Sequence, residues 1–158
     1  MELSKRTSAD LEMTIFEEAT IWGTDFTEAN LRGTNFRKAN IVGVKFIRAR
    51  VHRSDFSQSV ISWQHPDLLF QPNFSDAELH KAQFRRAKLH GVNFRGADLE
   101  YVDFSGAEIK NCDFTNANLS HSTWKRVKVV DCVWDSIIGD DIDHPSEEMC
   151  KILQSQNA

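Results

Sequence analysis

The sequence predicts an all-β solenoid, a chain that turns a corner every five residues and stacks its turns into a rod. Three observations carry that expectation. A large apolar residue recurs at every fifth position. A small residue stands two places before each of them. The residue between the two is most often Asp or Asn.

The large residues form two unbroken runs, from Leu11 to Ile61 and from Phe74 to Trp134, 24 pentads in all. The small position is usually alanine, as at Ala19, Ala29, Ala39, Ala77, Ala87, Ala97, Ala107 and Ala117. Elsewhere it is Thr24, Thr34, Val92, Cys112 or Cys132. A period of five matches neither the 3.6 of a helix nor the 2 of a strand. An amphipathic helix with one apolar residue in five would smear its stripe around the cylinder. A short straight segment with two inward residues, followed by a two-residue bend, fits. The recurring Asp and Asn between the inward residues read as corner-shaping residues.

Ala29-Asn30-Leu31, Ala97-Asp98-Leu99 and Ala117-Asn118-Leu119 resemble the pentapeptide-repeat family, whose motif is Ala-(Asp/Asn)-Leu-x-x. The resemblance covers roughly residues 9–136. It implies a right-handed quadrilateral parallel β-helix with four pentads per coil, hence about six coils. At about 4.8 Å per coil the rod is roughly 29 Å long. The expected organisation is a single domain over 1–158. It comprises coils over 9–61, a loop insertion over 62–73, coils over 74–136 and a C-terminal cap over 137–158.

Within that frame the repeat is really ten residues long. Phe occupies every second pentad and an aliphatic residue the others, so Phe falls on two opposite faces of a four-sided coil. Each buried Phe or Leu is worth about 1.5–3 kcal/mol, which offsets the ordering cost of a thin rod. Cys112 and Cys132, twenty residues apart, should stack inward on neighbouring coils as thiols.

The run breaks once, between Ile61 and Phe74, thirteen residues apart where five would do. The simplest account is an eight-residue loop near 62–72 pushed out between adjacent faces. It carries Trp63, which either contacts a partner or folds back on the coils. A competing register threads Leu68 or Leu69 inward. After Gly139 the pattern stops. His144-Pro145-Ser146-Glu147-Glu148 reads as the start of a short α-helix over 145–155. Its apolar face, Met149, Ile152 and Leu153, either caps the last coil or makes a homodimer. Residues 9–18 fit the repeat weakly, because Ile15 stands at a polar position; a helical cap is the alternative there.

The net charge of −4 hides segregation. Residues 1–29 hold seven acids and two bases, residues 30–95 four acids and twelve bases, and residues 96–158 twelve acids and five bases. In the four-per-coil register, Arg37/Lys38, Arg85/Arg86 and Lys125/Arg126 share one face, with Ser57/Gln58 and Ser105/Gly106 between them. The neighbouring face adds Arg32, Arg53 and Lys81. Such a stripe suits an acidic partner or is a solvated surface.

No catalytic, phosphate-binding or zinc-type motif is present. No catalytic residue, cofactor or metal ligand is assigned, and the chain is read as no enzyme. His52 and His80 would stack on one face with Glu100 one coil on. That set can bind a transition metal, though solvated surface is the preferred reading. No apolar run spans a membrane, and the polar N-terminus lacks a secretory signal, so a cytoplasmic setting is expected. Direct nucleic-acid binding is disfavoured, since no aromatic ladder interleaves with the bases.

The expected function is therefore a non-catalytic interaction scaffold for another, acidic protein. The candidate contacts are Arg37, Lys38, Trp63, Arg85, Arg86, Lys125 and Arg126. The resemblance supplies an alternative, since some members imitate duplex DNA and bind DNA gyrase, a type II topoisomerase. That role calls for a long, strongly acidic dimer, and this chain is short and basic in its middle.

Overall fold

Five-residue segments alternating two inward residues with a bend produce a four-sided parallel solenoid. The computed structural model describes residues 8–63, 71–143 and 147. Six short strands, β1 (Thr20–Trp22), β2 (Asn40–Val42), β3 (Val60–Ser62), β4 (Lys88–His90), β5 (Glu108–Lys110) and β6 (Lys128–Val130), form one sheet in sequence order. Every neighbouring pair is parallel. The other three faces are joined by single bridges with the same period, such as Asp10↔Asn30, Ile15↔Asn35 and Asp25↔Lys45.

The corner follows from backbone chemistry. Two residues after every centre but Ile61, and again at Asp141, φ is positive, at eighteen non-glycine and six glycine residues among those described. At most corners the next N–H closes a turn onto the centre's carbonyl, as Ala39 N–H does on Phe36 O at 3.1 Å. A left-handed residue in the third position is what a type II turn requires. The Asp or Asn before the centre adds a second clamp: Asp55 Oδ1 accepts from Ser57 N–H at 2.8 Å, and Asn93 Oδ1 from Arg95 N–H at 2.9 Å. The corner-shaping role expected of these residues is thus observed.

The face bearing the strands differs. No turn hydrogen bond closes the corners after β1, β2, β4, β5 and β6 among the described residues. The extended segment runs one residue further there. The left-handed position is then Gly23, Gly43, Gly91, Asn111 or Asp131, the residue types for which that conformation costs least.

The core is two aromatic and two aliphatic columns. Phe16, Phe36, Phe56, Phe84 and Phe104 lead to Trp124 on one face, with centroid steps of 4.5–5.3 Å. Phe26, Phe46, Phe74, Phe94 and Phe114 lead to Trp134 on the opposite one. Across the axis the columns meet edge to face, as Phe36 and Phe46 do at 5.9 Å and 89°. Offset stacking along the rod and edge contacts across it both suit the ring quadrupole, at about 0.5–1.5 kcal/mol per pair beyond burial. Two inward hydroxyls share one carbonyl: Thr34 and Ser54 both donate to Leu31 O at 2.6 Å. Cys112 and Cys132 are buried thiols on adjacent coils, and burial pushes the Cys112 thiol far up.

The break between Ile61 and Phe74 is an eight-residue insertion at one corner. Ile61 pairs with Leu89, twenty-eight residues on, and Lys45 bridges Asn73. Phe46 stacks on Phe74 at 4.3 Å as though nothing intervened. Phe74 fills the position directly after Ile61, so the chain does not skip two faces as the competing register requires. Residues 64–70, with Leu68, Leu69 and Phe70, lie outside the described residues. At the N-terminal end, residues 8–18 form coil and not a helical cap: Ile15 bridges Asn35, and Phe16 stacks on Phe36 at 5.2 Å. Pairing continues past residue 136, through Asn118↔Ile138 to Thr123↔Asp143. The expected helix over 145–155, with Met149, Ile152 and Leu153, lies outside the described residues apart from Glu147.

Candidate functional site

A residue at the two variable positions of a pentad points outward at a corner, and its equivalents twenty residues away stand directly above and below. Charge segregation along the chain therefore becomes vertical ion pairing. The acids of the first coil meet the bases of the second: Glu17–Arg37 at 3.9 Å, Glu18–Lys38 at 2.7 Å, Asp25–Lys45 at 3.8 Å and Glu28–Arg48 at 2.6 Å. A second rule links a base just after a centre to the residue eighteen on wherever that residue is an acid. It gives Arg37–Asp55 at 3.4 Å, Arg85–Asp103 at 2.5 Å, Arg95–Asp113 at 3.1 Å and Lys125–Asp143 at 2.8 Å.

These contacts shift the groups as expected. The Glu18 hydrogen bond holds the Lys38 ammonium above its ordinary value. Burial alone would raise the Asp103 carboxyl. The hydrogen bonds from Ser105 and Arg85 outweigh it and leave the group below the usual range.

The stripe expected from the sequence is present in register, but most of it is neutralised. Arg37, Lys38, Arg85 and Lys125 each hold a carboxylate. Arg86 and Arg126 have none within ion-pair distance among the described residues. Both occupy the left-handed corner position, two coils apart, with Gly106 between them. That spacing is about 10 Å. Gly106 makes the notch: a side chain there would begin 3.3 Å from Arg86 Cγ. The resulting cleft of about 540 Å³ is lined by Arg86, Ser105, Gly106, Lys125 and Arg126. A second of about 370 Å³ continues towards Arg37 past Gln58 and Arg85.

Trp63 sits at the corner from which the insertion departs. It is 47% exposed, yet its ring lies on the backbone of Gly91, where an added Cβ would fall 2.4 Å from Cδ1. Trp63 thus folds back on the coil while keeping one face open.

On the adjacent face Arg32 and Arg53 line a cleft of about 430 Å³ beside His52 and His80. Lys81 Nζ lies 5.4 Å from the Tyr101 ring centroid. His52 and His80 do stand one above the other on neighbouring coils, with centroids 6.3 Å apart and the rings edge-on at 65°. The sequence reading placed Glu100 beside them and missed Glu78. His52 Nε2 is 2.7 Å from Glu78 Oε2, and His80 Nδ1 is 3.3 Å from Glu100 Oε2. The twenty-residue register would have found Glu78 and Asp98, which stand beside this column at the corner-shaping position.

Among the described residues, no helix is long and apolar enough to cross a membrane. A family model described as pentapeptide repeats matches in eight copies, over residues 23–58 and 87–123. No curated protein sequence matches the chain. A pentapeptide repeat protein from the Arabidopsis thaliana thylakoid lumen is 26% identical, with a TM-score of 0.50 over 70% of this chain and 68% of that one. HetL, a pentapeptide repeat protein involved in heterocyst differentiation regulation in the cyanobacterium Nostoc, is 22% identical with a TM-score of 0.43. The match covers 87% of this chain but only 64% of HetL, so the chain spans less than two thirds of that protein. Trypsin-treated QnrB1, a plasmid-mediated fluoroquinolone resistance protein, is 16% identical with a TM-score of 0.39, over 78% of this chain and 71% of that one.

Proposed function

We propose that this chain, a rigid scaffold of regular corners that the pentapeptide-repeat model matches over residues 23–58 and 87–123, is a non-catalytic interaction module. The Arg86–Arg126 cleft takes an acidic segment of another protein. One observation carries this reading. Of the six bases on the stripe, only these two lack a carboxylate among the described residues, and both border the same glycine notch. Two guanidiniums about 10 Å apart match acids three residues apart on an extended polyproline II segment, which has three residues per turn and rises about 3.1 Å per residue. Guanidinium also favours the planar, bidentate geometry of a carboxylate. A cytoplasmic setting belongs to the same reading, since a reducing compartment suits the stacked Cys112 and Cys132 thiols.

The test is anisotropy of a labelled extended peptide with Asp or Glu at every third position, against a composition-matched scramble. Arg86→Glu with Arg126→Glu should weaken binding by about tenfold, while Arg95→Glu, on another face, should not. Equal binding of peptide and scramble, or no loss in the double variant, overturns the assignment.

A second reading, regulation of a type II topoisomerase by imitating DNA, rests on the acidic last coils. There Asp131, Asp135, Asp140 and Asp141 are all exposed. Supercoiling by gyrase that is unchanged at excess protein removes it.

A further inference from the structure

The solenoid places five metal-ligating side chains on one face within three consecutive coils. His52, His80 and Glu100 follow one another in the column just after the Val51, Leu79 and Leu99 centres. Glu78 and Asp98 stand in the parallel column just before the Leu79 and Leu99 centres, and bridge one another along the backbone. None of these five lines the Arg86–Arg126 cleft.

We propose that His80, Asp98 and Glu100 form a binding site for a divalent transition cation of the zinc class. One ligand atom from each lies within 4.8 Å of the other two, and all three residues are half-buried. His80 Nδ1 and Glu100 Oε2 are already 3.3 Å apart. Zinc–nitrogen and zinc–oxygen bonds of about 2.0–2.2 Å in a tetrahedral arrangement put ligand atoms roughly 3.4 Å apart. The third ligand therefore closes by side-chain rotation alone, with the backbone unmoved.

Asp98 is set up for this. Its Oδ1 is occupied by Glu100 N–H at 3.2 Å and the Asn118 side-chain amide at 3.3 Å. Its Oδ2 accepts no hydrogen bond among the described residues. The Oδ1 bonds fix the carboxylate plane as outer partners of metal ligands do.

The donor set selects the metal. One imidazole nitrogen with two carboxylate oxygens suits zinc, cobalt or nickel. Three protein ligands leave a fourth position for water. His52 is the next group along the column. It is engaged by Glu78 at 2.7 Å, so the pair flanks the site and does not complete it. Lys81 stands at the neighbouring corner, with its ammonium over the Tyr101 ring. This site shares no residue with the Arg86–Arg126 cleft, so either assignment stands or falls alone.

The test is isothermal titration of the full, tag-free chain with zinc chloride, paired with the visible spectrum of added cobalt. One equivalent should bind, and the cobalt spectrum should show d–d bands without thiolate charge transfer, which separates the site from cysteine. His80→Ala and Glu100→Gln should each weaken zinc by about tenfold or more, the loss seen when even a supporting partner is removed. His121→Ala, two coils from His80 on the same face, should leave affinity unchanged. Circular dichroism of each variant confirms the coils. No heat on zinc addition, or binding that survives both His80→Ala and Glu100→Gln in folded protein, overturns the proposal. So does a thiolate band in the cobalt spectrum.

Discussion

The corner at Gly91 lets a steric clash be separated from backbone strain. Gly91 has φ of +66° and carries the Trp63 ring, so a Cβ would sit 2.4 Å from Cδ1 and 2.5 Å from Nε1. Gly23 occupies the equivalent corner with φ of +57° and nothing within 4 Å of the same position. Gly23→Ala therefore reports the left-handed cost alone, about 1 kcal/mol. Gly91→Ala adds the displacement of an indole from its seat, an overpacking of about 1–3 kcal/mol. The total is about 2–4 kcal/mol. Trp63→Ala in the Gly91→Ala background should return the cost to the Gly23 level, a coupling of about 1–3 kcal/mol between the two sites. Equilibrium unfolding in guanidinium, followed by circular dichroism so that Trp63 can be removed, measures the parent, the three single variants and the double variant. If Gly91→Ala costs no more than Gly23→Ala, or if Trp63→Ala gives no relief, then Trp63 does not rest on this corner.

Two other outcomes follow from the register and the corners. Deleting residues 64–71 joins Trp63 to Pro72 and restores the five-residue spacing from Ile61 to Phe74, with buried Pro72 at the small inward position. Stability should change by no more than about 1 kcal/mol, since loop closure depends weakly on length. Loss of the circular dichroism spectrum would show that the insertion props up the coils. For pH, Asp103 and Asp113 lie below the usual carboxylate range. Burial would raise them, but hydrogen bonds from Ser105 and Arg85, and from Thr115 and Arg95, more than offset it. A depressed carboxylate contributes fully above its unfolded value of about 4, and that stability fades as pH falls through the folded value. Asp103→Asn with Asp113→Asn keeps an oxygen for the corner bond, as Asn35 and Asn93 do, but removes the titration. Its melting temperature should fall less than the parent's between about pH 5 and pH 3. Parallel curves would contradict that assignment.

The amino-acid pattern alone determined the solenoid, its two Phe columns and the place of its one insertion. Each pentad repeats the same local instruction: two inward residues, an Asp or Asn clamp, and a bend. Repetition makes local rules sufficient, since a residue's neighbours in space are its equivalents one coil away. Tertiary structure decided whatever depends on side-chain reach between coils. The basic stripe was legible as a row of letters at Arg37/Lys38, Arg85/Arg86 and Lys125/Arg126. Only the fold showed that Glu17, Glu18, Asp55, Asp103 and Asp143 neutralise four of those six, leaving Arg86 and Arg126. His52, His80 and Glu100 were likewise visible as a column, while Asp98 joined them because its carboxylate projects from the corner-shaping position towards Glu100. The eighteen-residue offset behind these contacts is a diagonal across two coils. Spacing along the chain specifies what stands directly above a residue; how far a flexible side chain leans to either side is settled by the charges it finds there.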